Sequence, residues 1–297
     1  MRAMGIRRRT NCQLAKWRAV RYNEAAMITA PPASSPTAPA ASRLTARRRV
    51  AIGGVRVDDC PLDEAVARCA GWLAETDGPL AQVVTVNPEF VMTAQQDAAF
   101  RAVINGAALA TPDGVGLIWA ARLLGQPLRG RTTGVALVGR LAELAAGQGY
   151  RLFLLGAAPG VAAEAAAVLT ARYPGLTIAG TWAGSPAPEE EEALAERITA
   201  SRADILFVAY GAPRQDLWIA RNKGRLPGVR LALGVGGVYD YLTGRVPLAP
   251  PLWRRVGLEW LYRLIHQPWR WRRMLALPRF VGLVLAQRLL KKTDKRP

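Results

Sequence analysis

Histidine is almost missing from this chain: His266 is the single one among 297 residues, and cysteine occurs only three times. Cys12, Cys60 and Cys69 share no C-x-x-C spacing, so the chain offers no ready Cys/His zinc site. Cys60 and Cys69 flank an amphipathic segment and read as buried free thiols in a reducing compartment. Aromatic residues make up only 7%, while Ala and Gly dominate, which favours close helix-on-sheet packing over an aromatic-rich β-sandwich. Long apolar runs are also lacking. The longest late one, Phe280 to Ala286, is far shorter than the roughly 20 residues of a transmembrane helix. Arg7–Arg9 are followed by no apolar stretch, which argues against a secretory signal.

Acidic residues are scarce at both ends. Residues 1–49 hold 11 Lys/Arg against one acid, and residues 245–297 hold 13 against Glu259 and Asp294. The chain's net charge of +18 therefore leaves residues 50–244 slightly acidic, at −3. Such partition is unlike a protein that coats nucleic acid throughout, and no nucleic-acid partner is expected. The basic C-terminal stretch interleaves Trp253, Trp260, Trp269, Trp271 and many leucines, a composition suited to an anionic membrane surface. Residues 28–46 are rich in Pro, Ala, Ser and Thr and cannot build a core. Three parts are expected: a disordered basic arm over 1–49, an α/β core over 50–244 and a basic helical appendage over 245–297. Met27, just before the Pro/Ala tract, is an alternative start.

Within the core, short apolar runs alternate with helical patterns. Strands are expected at 82–87, 107–111, 151–156, 176–181, 204–211 and 229–237, and helices at 89–104, 161–172, 188–201 and from Pro213 to about Lys223. This alternation implies βαβ units and a mostly parallel, Rossmann-like sheet. Such sheets bind ligands at the carboxyl ends of their strands, so the polar and Gly residues just past each strand become the candidates.

Asp113, in a Pro-Asp-Gly turn, could act as general base toward a substrate hydroxyl; it could equally just cap the next helix. Thr85 and Asn87 alternate at a strand end and so share one side. Gly156-Ala-Ala-Pro-Gly160 resembles a phosphate-cradling turn, but without the G-x-G-x-x-G spacing of a dinucleotide site. In Gly211-Ala-Pro-Arg-Gln215, Pro213 suits a helix start and Gln215 can read a nucleobase or sugar edge, or simply be solvated. Gly234-Val-Gly-Gly237, with Gly236 at its centre, allows close backbone approach. A Ser/His/Asp triad would have to borrow His266 from the basic tail, no Walker motif occurs, and neither metal nor organic cofactor is called for.

Taken together, Thr85-Val-Asn87, Pro112-Asp113-Gly114, Arg131-x-x-Gly134, Phe153-Leu-Leu-Gly156, Gly211-Ala-Pro-Arg-Gln215-Asp216, Gly234-Val-Gly-Gly237 and Gly257-Leu-Glu-Trp-Leu-Tyr-Arg263 resemble the WecG/TagA/CpsF glycosyltransferases (glycosyltransferase family 26) in order and spacing, over roughly residues 50–280. The resemblance implies an inverting, metal-independent transfer of N-acetylmannosamine, its uronic acid or glucose. The donor would be a UDP-sugar and the acceptor a polyprenyl-diphosphate-linked saccharide, in surface-glycan synthesis at the cytoplasmic membrane face. By motif, Asp113 would be the base, Thr85, Asn87, Arg131, Gln215 and Gly236 would line the site, and Arg263, Arg270 and Arg273 would close over the diphosphate. Their spacing would align them along one side of a continuous helix, which Pro268 interrupts. Two departures stand out: Ala136 replaces a usual Asp, and His266-Gln267-Pro268 stands where Glu-Pro is common. A non-catalytic, nucleotide-binding membrane module is the alternative, and homo-oligomerisation is left open.

Overall fold

The structure, a computed structural model, describes residues 48–293 except 76–77, 251 and 254–255. The expectations for the basic arm, Cys12 and Met27 lie outside the described residues, as does the side chain of Arg270.

The chain enters through an antiparallel hairpin, β1 (Arg49–Ile52) and β2 (Val55–Asp58). The intervening Gly53 and Gly54 have φ of 57° and 74°, the left-handed pair that a two-residue hairpin turn demands. No strand was expected here, although Gly-Gly between two Val-rich runs is the signal for one. The hairpin covers an edge of the main sheet: Asp58 Oδ2 accepts the Ala110 N–H at 2.7 Å.

The main sheet has six strands, all parallel, in the order β4-β3-β8-β7-β5-β6. They are β3 (Ala81–Val86), β4 (Leu109–Pro112), β5 (Arg151–Gly156), β6 (Thr177–Trp182), β7 (Ile205–Ala209) and β8 (Leu231–Gly234). The α/β expectation is met, and each expected strand is present within a few residues. Every residue of β3, β4, β7 and β8 is buried, which is why they read as continuous apolar runs rather than alternating ones.

Helices flank the sheet: α1 (Leu62–Ala74), α2 (Pro88–Gln96), α3 (Ala98–Gly106), α4 (Val115–Leu123), α5 (Gly134–Gln148), α6 (Val161–Arg172), α7 (Glu191–Ser201), α8 (Arg214–Asn222) and the short α9 (Val238–Leu242). The single helix expected over 89–104 is two. Asp97 breaks it, its side chain accepting the Phe100 N–H at 2.8 Å as the N-cap of α3. Beyond residue 250 come α10 (Glu259–His266), α11 (Trp271–Met274) and α12 (Ala276–Thr293), the first two separated by a 3-10 turn at Pro268–Arg270. That break removes the common helical face that would have aligned Arg263, Arg270 and Arg273.

Among the described residues, two of the apolar clusters bear on the site. One lies around β5, β7, α7 and α8, with Trp218 fully buried in it. The other joins the hairpin to α2, α3 and α4, and α12 contributes Phe280 and Val284, 4% and 2% exposed. Gln287 extends this attachment. Its Oε1 accepts the Gly53 N–H at 2.9 Å, and its Nε2 donates to Ala51 O at 2.8 Å. The 245–297 segment is thus divided: α12 is seated in the core, while the stretch before it carries exposed Leu252, Val256, Ile265, Trp269 and Trp271. Cys60 and Cys69 are buried free thiols, as expected.

Candidate active site

At the carboxyl ends of β3 and β4 lies a cavity of about 200 Å³. Sheet residues form its floor and the C-terminal helices its roof. Val86 O accepts the Asp113 N–H at 2.7 Å, which sets Asp113 just past the end of β4. Pro112 O accepts the Thr132 N–H at 2.8 Å, and the fully buried Thr132 hydroxyl donates to Cys60 O at 2.8 Å. Those two bonds pin the loop that presents Arg131.

The start of α5 meets this floor. Gly134 N–H donates to Asp113 Oδ2 at 3.2 Å, placing the carboxylate at a helix N-terminus, where negative charge is favoured. A Cβ added at Gly134 would lie 3.5 Å from Thr85 Oγ1 and 3.7 Å from Asp113 Oδ2, so the two side chains converge on the same helix start. Thr133 caps α5 through the Ala136 N–H, which leaves the helix capped without a carboxylate at position 136. No side chain caps α4, whose first residues line the cavity. Its leading amide groups can therefore serve an anion.

The roof comes from Gly257, Glu259, Trp260 and Arg263, with Met274 and Leu277 further on. Gly257 has φ of 76°, and a Cβ there would come within 2.8 Å of Val115, so glycine permits the close crossing over α4. Arg263 packs over the Tyr241 ring, its guanidinium 4.9 Å from the ring centroid. Two ion pairs fasten roof to floor: Arg131 Nη2 to Glu259 Oε1 at 3.0 Å, and Arg273 Nη2 to Glu89 Oε2 at 2.6 Å.

Although the cavity leaves Asp113 partly exposed, the surrounding protein desolvates it and raises its pKa above the usual carboxylate value. The Gly134 N–H, Arg263 and Arg131 pull it back down, while Glu259 reinforces the rise. A carboxylate held this way keeps proton affinity without losing its charge stabilisation, as a base acting on a hydroxyl requires.

Of the residues singled out from sequence, Asn87, Asp113, Arg131 and Arg263 line the cavity. Asn87 has a structural task as well: its Oδ1 caps α2 by accepting the Phe90 N–H at 3.1 Å. Thr85 sits beneath, 7% exposed. Arg273 stands at the rim on Glu89. Gln215 and Gly236 lie elsewhere on the same sheet edge and bond to each other, Gly236 N–H donating to Gln215 Oε1 at 2.9 Å. Gln215 is 2% exposed in this arrangement, so its side chain is packed inward rather than solvated. In the Gly156–Gly160 turn, the Ala157 N–H is spent on Ala209 O at 3.1 Å. His266 is exposed on α10 with Nδ1 2.9 Å from Tyr262 O, away from the cavity.

Sequence reasoning missed Glu259 and Glu89 as cavity residues. Glu259 was visible as the residue four before Arg263 on one helix face, the spacing at which side chains share a site. It also missed Asp216, buried beside Gln215, neither of whose carboxylate oxygens completes a hydrogen bond among the described residues. Burial pushes that carboxyl up to about 7, with the adjacent Gln215 amide offsetting part of the rise.

A carboxylate, two arginines and an uncapped helix start converge on one pocket. The model of the glycosyl transferase WecG/TagA/CpsF family matches residues 50–294. The chain belongs to that family. Among its relatives is a Bacillus spizizenii protein, 38% identical over 69% of this chain and 79% of its own length. A Bacillus subtilis protein is 34% identical over 72% of this chain and 82% of its own length. Both carry the name N-acetylglucosaminyldiphosphoundecaprenol N-acetyl-beta-D-mannosaminyltransferase. This WecG/TagA/CpsF protein is accordingly a glycosyltransferase with a Rossmann-like core. Among its described residues no helix is long and apolar enough to cross a membrane.

Proposed function

We propose that this protein transfers N-acetylmannosamine, with inversion, from a UDP-sugar to an N-acetylglucosamine linked through diphosphate to a polyprenol. The observation that carries this reading is the convergence of Asp113 with Arg131 and Arg263 in one cavity at the strand ends. Asp113 takes the proton from the acceptor sugar hydroxyl. The resulting oxygen attacks the anomeric carbon, and the bond from that carbon to the UDP oxygen breaks, its electron pair leaving with UDP. Negative charge grows on the diphosphate, and guanidinium groups suit its oxygens through paired N–H donors. Arg131, Arg263 and the open start of α4 can supply that neutralisation, which supports a metal-independent reaction. The donor sugar follows the relatives' names, which favour N-acetylmannosamine over its uronic acid or glucose.

The enzyme would work peripherally on the cytoplasmic membrane face. Exposed Trp269 and Trp271, 72% and 54% accessible, stand among the basic residues of 245–297. Each cation near an anionic leaflet adds about 1 kcal/mol of attraction, which salt weakens. Cosedimentation with anionic vesicles that persists in part at high salt is the expected behaviour, and a full-length protein left in the supernatant at physiological salt would remove this part of the proposal.

The deciding assay measures UDP release from a panel of UDP-sugars, with and without a short-chain N-acetylglucosaminyl-diphosphate lipid and with and without chelator. Acceptor-dependent, chelator-insensitive release from UDP-N-acetylmannosamine is expected. UDP binding with no release from any donor would favour the non-catalytic module.

A further inference from the structure

Two apolar paths leave the cavity, and both start at residues that line it. On α4, Val115 lines the cavity, and Trp119 follows one helical turn later with 66% of its surface exposed. On α12, Leu277 lines the cavity, and Val281, Leu285 and Leu289 follow at steps of four, 55%, 46% and 65% exposed. Steps of four keep side chains on one slowly drifting stripe. The rotation of α12 is fixed, because Phe280 and Val284 are buried in the core and Gln287 is tied to the hairpin turn. The stripe is therefore held outward by the fold.

The two helices run close together. A Cβ added at Gly116 would lie 2.7 Å from Pro88 Cγ and 3.9 Å from Phe280 Cε1, so glycine lets the Phe280 ring of α12 reach the α4 backbone beside Pro88. Trp119 stands three residues beyond Gly116, on the flank of this contact. At 1.5 Å per residue, the stripe from Leu277 to Leu289 is about 18 Å long. Neither α4 nor α12 contains a single acidic residue. Apolar side chains exposed in a continuous line call for an occupant. Here the line begins beside Arg131 and Arg263, which suit a diphosphate.

We infer that Trp119 and the α12 stripe form the binding track for the polyprenyl chain of the acceptor, taking its first isoprene units as they leave the cavity. This rests on the glycosyl-transfer reading for the identity of the head group. A molecule with an anionic diphosphate head and an apolar tail matches, in order, the cationic cavity and the apolar path running out of it.

The test uses the full-length protein without vesicles or detergent. It compares N-acetylglucosaminyl-diphosphate acceptors bearing a methyl tail and a tetraprenyl tail. The wild type should show the lower KM for the tetraprenyl acceptor. Trp119→Ser and Val281→Ser should each raise that KM roughly tenfold, the scale of one large apolar side chain losing its contact. Neither variant should change kcat, the donor KM or the KM for the methyl acceptor. A wild type indifferent to tail length, or variants that slow both acceptors equally, would overturn the inference. So would a loss confined to assays with vesicles, which would assign the patch to the bilayer. A shift of the variants from oligomer to monomer would assign it to a second copy of the chain. A second readout is independent of turnover: calorimetric binding of tetraprenyl diphosphate, with inorganic diphosphate as control. Tail-dependent binding that Trp119→Ser abolishes would uphold the track even if the assay showed no sugar transfer. Equal binding of both ligands would sink it.

Discussion

The floor and the roof of the cavity are built by different means. The floor is set by sheet register: Asp113, Thr85 and the start of α5 are placed by backbone bonds and by buried threonines. The roof is set by side chains on partly exposed helices, through two ion pairs that ligands and salt can exchange. The residue proposed to move a proton therefore sits on the rigid half. Of the groups proposed to hold phosphate, Arg131 and the start of α4 belong to the floor, while Arg263 is carried by the roof. A base must be placed within a hydrogen bond of its hydroxyl, whereas phosphate clamps must admit and release a large anion.

Breaking the floor should have the largest effect. Asp113→Asn keeps the size and can still meet the Gly134 N–H, so folding and UDP binding should persist while turnover falls about 10²–10⁴-fold. Retention of more than a tenth of the activity would make Asp113 a helix-capping turn residue only.

The seam between the halves is α12, and Phe280→Ala tests whether it belongs to the core. Removing a buried phenylalanine typically costs about 3–5 kcal/mol, which a urea melt would record as a lower midpoint. A change below 1 kcal/mol would show that α12 rests on the core without joining it.

On the roof, Arg263→Ala should lower kcat/KM about 10–100-fold, with Lys restoring little because it supplies charge without the paired donors. Full rescue by Lys would reduce the clamp to simple electrostatics.

Asp216 provides the contrasting carboxylate on the rigid side, sealed from solvent at 1% exposure. Its folded pKa is raised to about 7 from 3.8, so the native state holds the extra proton. The stability this gives is full below pH 3.8 and is lost as pH rises through about 7. Asp216→Asn should therefore melt higher than wild type at pH 8, by about 1–3 kcal/mol, with the gap closing at acidic pH. Equal pH dependence of the two proteins would show that the carboxyl finds a partner in solution.

The fold was legible from sequence because fully buried parallel strands leave unbroken apolar runs, and RLFLLG at 151–156 coincides with β5 residue for residue. The hairpin was missed because its strands have only four residues each, although Gly53-Gly54 between them signals the turn. Asp113 was legible because it sits just past a strand end, and Arg131 only through the family motif Arg131-x-x-Gly134. Glu89 was not, because its ion pair with Arg273 spans 184 residues of chain that no local pattern encodes. The i,i+4 spacing of Glu259 to Arg263 gave no hint of its pairing with Arg131, 128 residues away. Gln215 looked available because a helix start suggests exposed amides. Only the tertiary structure shows its side chain turned inward onto Gly236.

The central claim is that Asp113 acts as the base within the electric field of the roof. The most direct measurement is the pH dependence of kcat/KM for acceptor-dependent UDP release, in wild type and in Glu259→Gln. A base is active when ionised, so the rate should fall as pH drops through its pKa, and burial places that acid limb above the ordinary carboxylate value of 3.8. Glu259 raises the Asp113 pKa and occupies Arg131. Its replacement by Gln should therefore move the acid limb to lower pH. An acid limb that stays in place in Glu259→Gln, or a profile with no acid limb at all, would contradict the account.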